Sequence, residues 1–183
     1  MVCGESPTKR IENLNKIMPA IEDSSNPAEL LSNTHLFAFD KELFLNNIQT
    51  DVYRKSYAKT LLLMLEYMYQ DNSILHTYSF VSIEHILPQN PSPNSQWCAD
   101  YTDEERINNV DKIGNLCIIG RRKNTSLGNL DYPNKRKRYF EKNIGNFART
   151  LHIYNKFPNS WLPTDLKHNT DDTLLDIRKL FGI

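Results

Sequence analysis

The stretch from Val81 to Pro88 reads Val-Ser-Ile-Glu-His-Ile-Leu-Pro and constrains the fold more than any other part of the chain. Phe80 and Ser82 alternate with Val81 and Ile83 in the period of a strand, and Pro88 stops it. Glu84 and His85 therefore stand at a strand's end. Adjacent residues on a strand project to opposite faces unless the backbone bends there. A second apolar run, Leu116-Cys117-Ile118-Ile119, has the length of a partner strand and ends at Gly120. Asn124 then stands where a helix could begin. The expected order is strand, long loop, strand and helix, with polar chemistry at the first strand's end and at the helix start.

Such a layout suits a small metal site. A carboxylate and an amide oxygen can hold a hard divalent cation, while an imidazole beside them activates water. Histidine has a reference pKa of about 6.5, so its neutral form accepts a proton near neutral pH. Each residue also has a plainer reading. His85 alone would be a strand histidine satisfied by a backbone partner, Gly114-Asn115 is a common turn pair, and Asn124 could be a helix N-cap. The company of Glu84, Asn115 and Asn124, with the two asparagines nine residues apart, favours catalysis and metal binding.

Glu-His-Ile-x-Pro, then Gly-Asn-Leu, then Asn124, resembles the His-Asn-His (HNH) nuclease motif in its His-Asn-Asn form. Ile113-Gly114-Asn115-Leu116-x-x-Ile119, Asn124, Ser126 and the basic stretch after Asn129 resemble the C-terminal domain of GmrSD-type restriction endonucleases. The likeness extends from about Tyr53 to Arg178. It implies an α+β fold, a mainly helical domain around a ββα-metal unit. It makes Glu84 a metal ligand, His85 the general base, Asn115 a brace for the catalytic loop and Asn124 the second metal ligand. The implied cofactor is one divalent cation, Mg2+ or Mn2+ ahead of Zn2+ or Ni2+. The implied activity is endonucleolytic hydrolysis of DNA leaving 5′-phosphate and 3′-hydroxyl ends, in restriction-like defence against foreign DNA.

Formal net charge is zero, so no global field draws nucleic acid; charge is instead segregated. Residues 100–112 carry five acids against Arg106 and Lys112, whereas residues 121–142 carry eight bases against Asp131 and Glu141. Arg121, Arg122, Lys135, Arg136 and Arg138 are the candidates for phosphate contact, although a helical Lys-Arg-Lys-Arg run is commonly a solvated face. The three cysteines form no Cys-x-x-Cys pair, which argues against a disulfide scaffold and a zinc knuckle. With no hydrophobic leader and no apolar run near the roughly 20 residues of a membrane span, the cytoplasm is the expected compartment.

Residues 1–49 read as a helical appendage or the remnant of an upstream domain, and 50–183 as the nuclease domain, with its motif core at 80–129. Within the appendage, Pro19 limits a first helix to about two turns. Asn26-Pro27 opens a short helix burying Leu30 and Leu31. Asp40 caps a third helix, carrying Leu43, Phe44 and Ile48. Thr50 or Asp51 should cap a long helix to about Gln70, with Tyr53, Tyr57, Leu61, Met64, Leu65 and Met68 as its apolar stripe. In the loop from Asn90 to Lys112, Thr102-Asp103-Glu104-Glu105 has the form of a capping box. Helices are expected over 133–142 and around Phe147, Leu151 and Tyr154. A last one is capped by Thr170 or Asp171 and ended by Gly182. His35, His76, His152 and His168 lack companions and read as surface or capping residues.

The expected partner is duplex DNA, modified or unmodified, with no membrane. A sensor or nucleotide-hydrolysing part, for which the first 50 residues are too short, would lie in a separate subunit or domain. Two other classes fit the residues: a non-catalytic DNA-binding or interaction module that keeps the HNH shape, and an RNA-cleaving toxin.

Overall fold

The structure is a computed structural model describing residues 6–33, 35–77, 80–120, 127–141 and 147–183. The chain divides into two units, Met1–Ile48 and Gln49–Ile183. Helices dominate the described residues, and one two-stranded sheet accompanies them, so the class is mixed and mainly helical. The start of the helix expected to complete a ββα unit falls on 121–126, outside the described residues. No helix among the described residues is long and apolar enough to cross a membrane.

In the first unit, α1 (Pro7–Asp23) runs straight through Pro19 and buries none of its residues. The two-turn limit expected from Pro19 is thus corrected. An exposed helix can leave the carbonyl freed by proline to water, so the ring does not end it. α2 (Pro27–Ser32) begins where the Asn26 side chain accepts from the Ala28 N–H at 2.9 Å, but it buries neither leucine, and Leu31 is 73% exposed. α3 (Lys41–Gln49) is capped by Asp40, whose Oδ1 accepts from the Leu43 N–H at 2.8 Å. Phe44 and Ile48 are buried as the spacing predicts; Leu43 is not.

The second unit is built around the antiparallel pair β1 (Val81–His85) and β2 (Leu116–Gly120). Their register sets Val81 opposite Gly120, Glu84 opposite Cys117 and His85 opposite Leu116. The Ile86 N–H donates to the Asn115 carbonyl at 3.0 Å, carrying the ladder one step past the strand. Between the strands lie α5 (Gln96–Asp100), α6 (Asp103–Asn109) and a 3₁₀ turn, Ile113–Asn115. The capping box forms as the sequence predicts: Thr102 Oγ1 accepts from the Glu105 N–H while the Glu105 carboxylate accepts from the Thr102 N–H.

α4 (Ala58–Met68) is shorter than its apolar pattern predicts. Residues 51–57 are diverted because Asp51 bridges to Lys112, and the Val52 and Tyr53 N–H groups both donate to the Asp111 carbonyl. Tertiary hydrogen bonds here take the donors that a helix would have used. Leu61 and Leu65 are buried as expected, while Met64 and Met68 are each 37% exposed.

α7 (Tyr132–Phe140), α8 (Ala148–Lys156) and α9 (Pro163–Phe181) follow β2. Their inner faces join Ile86, Leu87, Cys117 and Ile119 in an aromatic-rich core around Tyr132, Tyr139, Tyr154 and Trp161. Buried phenols of this kind need partners. Tyr101 donates to the Trp161 carbonyl at 2.8 Å and Tyr132 to the Phe157 carbonyl at 2.6 Å.

α9 starts at Pro163 in the first turn, seven residues before the expected cap at Thr170. Thr170 lies mid-helix, where its hydroxyl donates to the Leu166 carbonyl four residues back. Gly182, with φ 64°, ends the helix in the left-handed conformation that glycine adopts without strain.

α9 also fixes the 3₁₀ turn. Asn169 Nδ2 donates to the Gly114 carbonyl at 2.6 Å, and a Cβ on Gly114 would clash with Thr170 Oγ1 and sit 2.6 Å from its Cα. Gly114→Ala is therefore expected to lose about 1–3 kcal/mol of stability through overpacking. At roughly 2–4 °C per kcal/mol for a protein of this size, thermal melting should show it. An unchanged Tm would mean that the turn is not held against α9.

Candidate active site

Glu84 and His85 close β1, and the chain turns inward after them through Ile86, Leu87 and Pro88, all buried. Both polar side chains are themselves nearly covered, Glu84 at 4% and His85 at 9% exposure. Each has one charged partner, supplied by a different element.

For His85 the partner is Asp111. His85 Nε2 lies 2.9 Å from Asp111 Oδ1. An ionised carboxylate only accepts, so the proton sits on Nε2 and the lone pair falls on Nδ1. Gln89 Nε2 donates to the same Oδ1 at 2.9 Å, and the Asp111 carbonyl is held by the Val52 and Tyr53 N–H groups. The Tyr53 ring packs edge-on against the imidazole, with centroids 4.2 Å apart. Burial lowers the His85 pKa from 6.5, and Asp111 pulls in the opposite direction without cancelling the shift. Nδ1 makes no hydrogen bond among the described residues, and a neutral imidazole with a fixed tautomer and a free nitrogen is what a general base requires.

For Glu84 the partner is Lys135. The Lys135 ammonium, 1% exposed, donates to Glu84 Oε1 at 2.8 Å and to the His85 carbonyl at 2.6 Å. Burial raises the Glu84 pKa, and the neighbouring ammonium opposes that rise.

Asn115 holds the turn that carries this geometry. It is wholly buried and uses both ends of its amide. Oδ1 accepts from the Leu87 N–H at 2.8 Å and from Trp161 Nε1 at 3.2 Å, while Nδ2 donates to the Leu87 and Val110 carbonyls. That ties both ends of the inter-strand loop to β2. Asn115 has no capacity left for a substrate, so it positions the site without touching the reacting atoms.

The structure brings Asn115 beside the end of β1 that carries Glu84 and His85, across the pairing of His85 with Leu116. Asn124, Arg121 and Arg122 lie outside the described residues. Lys135 requires a correction: it was expected on a phosphate-binding surface, but it points inward because Glu84 needs a counter-charge. Arg136 is half-buried, its Nε donating to the Tyr154 carbonyl at 2.9 Å and its guanidinium lying 4.9 Å from the Phe140 ring centroid. Lys137 and Arg138 are the exposed members of the run.

Asp111, Gln89 and Tyr53 escape sequence reasoning. Asp111 is hidden among the acids of 100–112, and Tyr53 fits a helical stripe that does not form there.

Among the described residues, no group of three or more His, Cys, Asp and Glu side chains converges to hold a metal ion. Of the two expected ligands only Glu84 lies among the described residues, and its carboxylate is a hard oxygen donor of the type that suits a hard cation. Glu84 Oε2 makes no hydrogen bond among the described residues, so one carboxylate oxygen remains while Lys135 holds the other.

Comparison with known proteins gives one family. The family model for GmrSD restriction endonucleases, C-terminal domain, matches residues 37–171, roughly three-quarters of the chain. No curated protein matches it.

Proposed function

The chain belongs to the family of GmrSD restriction endonuclease C-terminal domains, and on that premise we propose that it is a metal-dependent HNH-type endonuclease hydrolysing phosphodiester bonds of duplex DNA. The observation that carries this reading is the His85 imidazole, held through Nε2 by Asp111 beside Glu84, with no hydrogen bond at Nδ1 among the described residues. His85 Nδ1 takes a proton from the attacking water, and Asp111 stabilises the imidazolium that results. Tyr53 keeps the ring in place, and Asn115 keeps the loop on β2. Glu84 and Asn124 would hold one Mg2+ or Mn2+ ion. When bound, that ion supplies charge stabilisation for the phosphate and the departing 3′ oxygen. The exposed Lys137 and Arg138, with Arg121 and Arg122, would contact the DNA backbone. Restriction-like defence, under a sensor carried by another domain or subunit, is the cellular role that membership of this family supports.

Incubating the purified chain with supercoiled plasmid and with single-stranded RNA, in Mg2+, Mn2+ or EDTA, tests the reading. The expected result is nicked or linear plasmid with either metal, intact plasmid in EDTA and intact RNA. Degraded RNA beside intact plasmid would make the chain an RNA-cleaving toxin. DNA binding in EDTA with no cleavage in metal would make it an interaction module.

A further inference from the structure

Lys135 is among the largest fully buried side chains in the protein, and the catalytic reading does not use it. Burying an ammonium is unfavourable unless it is paired and hydrogen-bonded. On α7 its neighbour Lys137 keeps 75% of its side chain in water and lies 4.0 Å from the Glu141 carboxylate. Lys135 instead reaches across to the end of β1, where Glu84 Oε1 and the carbonyl of His85 both accept from it. The side chains of this pair are 1% and 5% exposed, so solvent screens their attraction little. The ammonium thus occupies one oxygen of the carboxylate assigned to the metal, and the other oxygen makes no hydrogen bond among the described residues.

We infer that Lys135 is an internal counter-cation that balances Glu84 in the metal-free protein and opposes the binding of a divalent ion to it. This rests on the reading of Glu84 as a metal ligand. The Glu84–Lys135 pair is neutral as a unit, so a divalent ion at Oε2 leaves a buried excess of positive charge. Like charges held on one carboxylate repel strongly where water is excluded. The negative charge of a phosphate arriving with the metal offsets part of that excess. The device therefore keeps the carboxylate ordered without metal, and makes productive metal binding depend on the nucleic-acid backbone.

Calorimetric titration of Mn2+ without DNA tests this on wild type, Lys135→Met, Lys135→Gln and Glu84→Gln. Removing the ammonium is expected to tighten Mn2+ binding by at least about tenfold in both lysine variants. Lys135→Met should also melt lower in EDTA, because Glu84 is left uncompensated, with Mn2+ restoring the loss. Glutamine keeps a hydrogen-bond donor without the charge and covers the case in which methionine does not fold. Wild-type protein gives a second readout: with Mg2+ at a concentration that saturates the site, the protected ammonium signal of Lys135 in proton–nitrogen spectra should shift or exchange away. Unchanged or weaker Mn2+ affinity in the lysine variants, or an unmoved ammonium signal, overturns the inference while leaving Glu84 as a ligand. Wild-type Mn2+ affinity in Glu84→Gln would overturn the ligand assignment itself, and the inference with it.

Discussion

Replacing His85 with alanine is expected to slow cleavage of duplex DNA by about a hundredfold or more while leaving DNA binding in EDTA unchanged. The loss arises because the buried His85 ring, hydrogen-bonded to Asp111, is the proposed base. Removing the ring also leaves a gap beside Tyr53 and strands Asp111, so some stability is lost as well. The two effects separate if single-turnover cleavage is measured well below the melting temperature and binding is followed by fluorescence anisotropy. A purely structural role would weaken binding and cleavage together. Cleavage at wild-type rates would remove His85 from the chemistry.

Asp111→Asn should lower kcat/KM by about 10²-fold or more, within the usual range for general-base catalysis. Asparagine keeps an acceptor for the Nε2–H but loses the negative charge that stabilises the imidazolium. The pH profile carries the sharper signature. Burial lowers the His85 pKa from 6.5, so the wild-type base remains neutral, and active, some way below pH 6.5. Activity is lost as pH falls through that lowered value. Asp111 acts to raise the pKa, so removing its charge should move the acidic limb of kcat/KM to still lower pH. A limb that stays in place, or moves up, would mean that Asp111 does not act on the base through its charge.

How far the sequence reveals this site depends on the range of the interactions. Glu84 and His85 are visible because a short alternating run ended by proline is a local signal, and the register observed between β1 and β2 agrees with it. Asn115 is visible through Gly114, which the close approach of Thr170 requires to be glycine. Lys135 is misplaced because a four-residue basic run looks solvated until a buried carboxylate 51 residues earlier claims one of its members. Asp111 is missed for the same reason, since its partner lies 26 residues away and nothing in its own neighbourhood distinguishes it. The shortened α4 and the lengthened α9 show the same competition. In one, tertiary hydrogen bonds draw donors out of a helix; in the other, a helix runs through a residue that could have capped it.

Water activated at His85 is proposed to cleave a phosphodiester bond. The most direct test is to cut a duplex with the wild-type chain and Mg2+ in water enriched in ¹⁸O, under single-turnover conditions, and weigh the fragments by mass spectrometry. The expected result is one ¹⁸O atom on each new 5′-phosphate and none on the 3′-hydroxyl ends. Label-free 5′-phosphates, or fragments ending in 3′-phosphate, would contradict it.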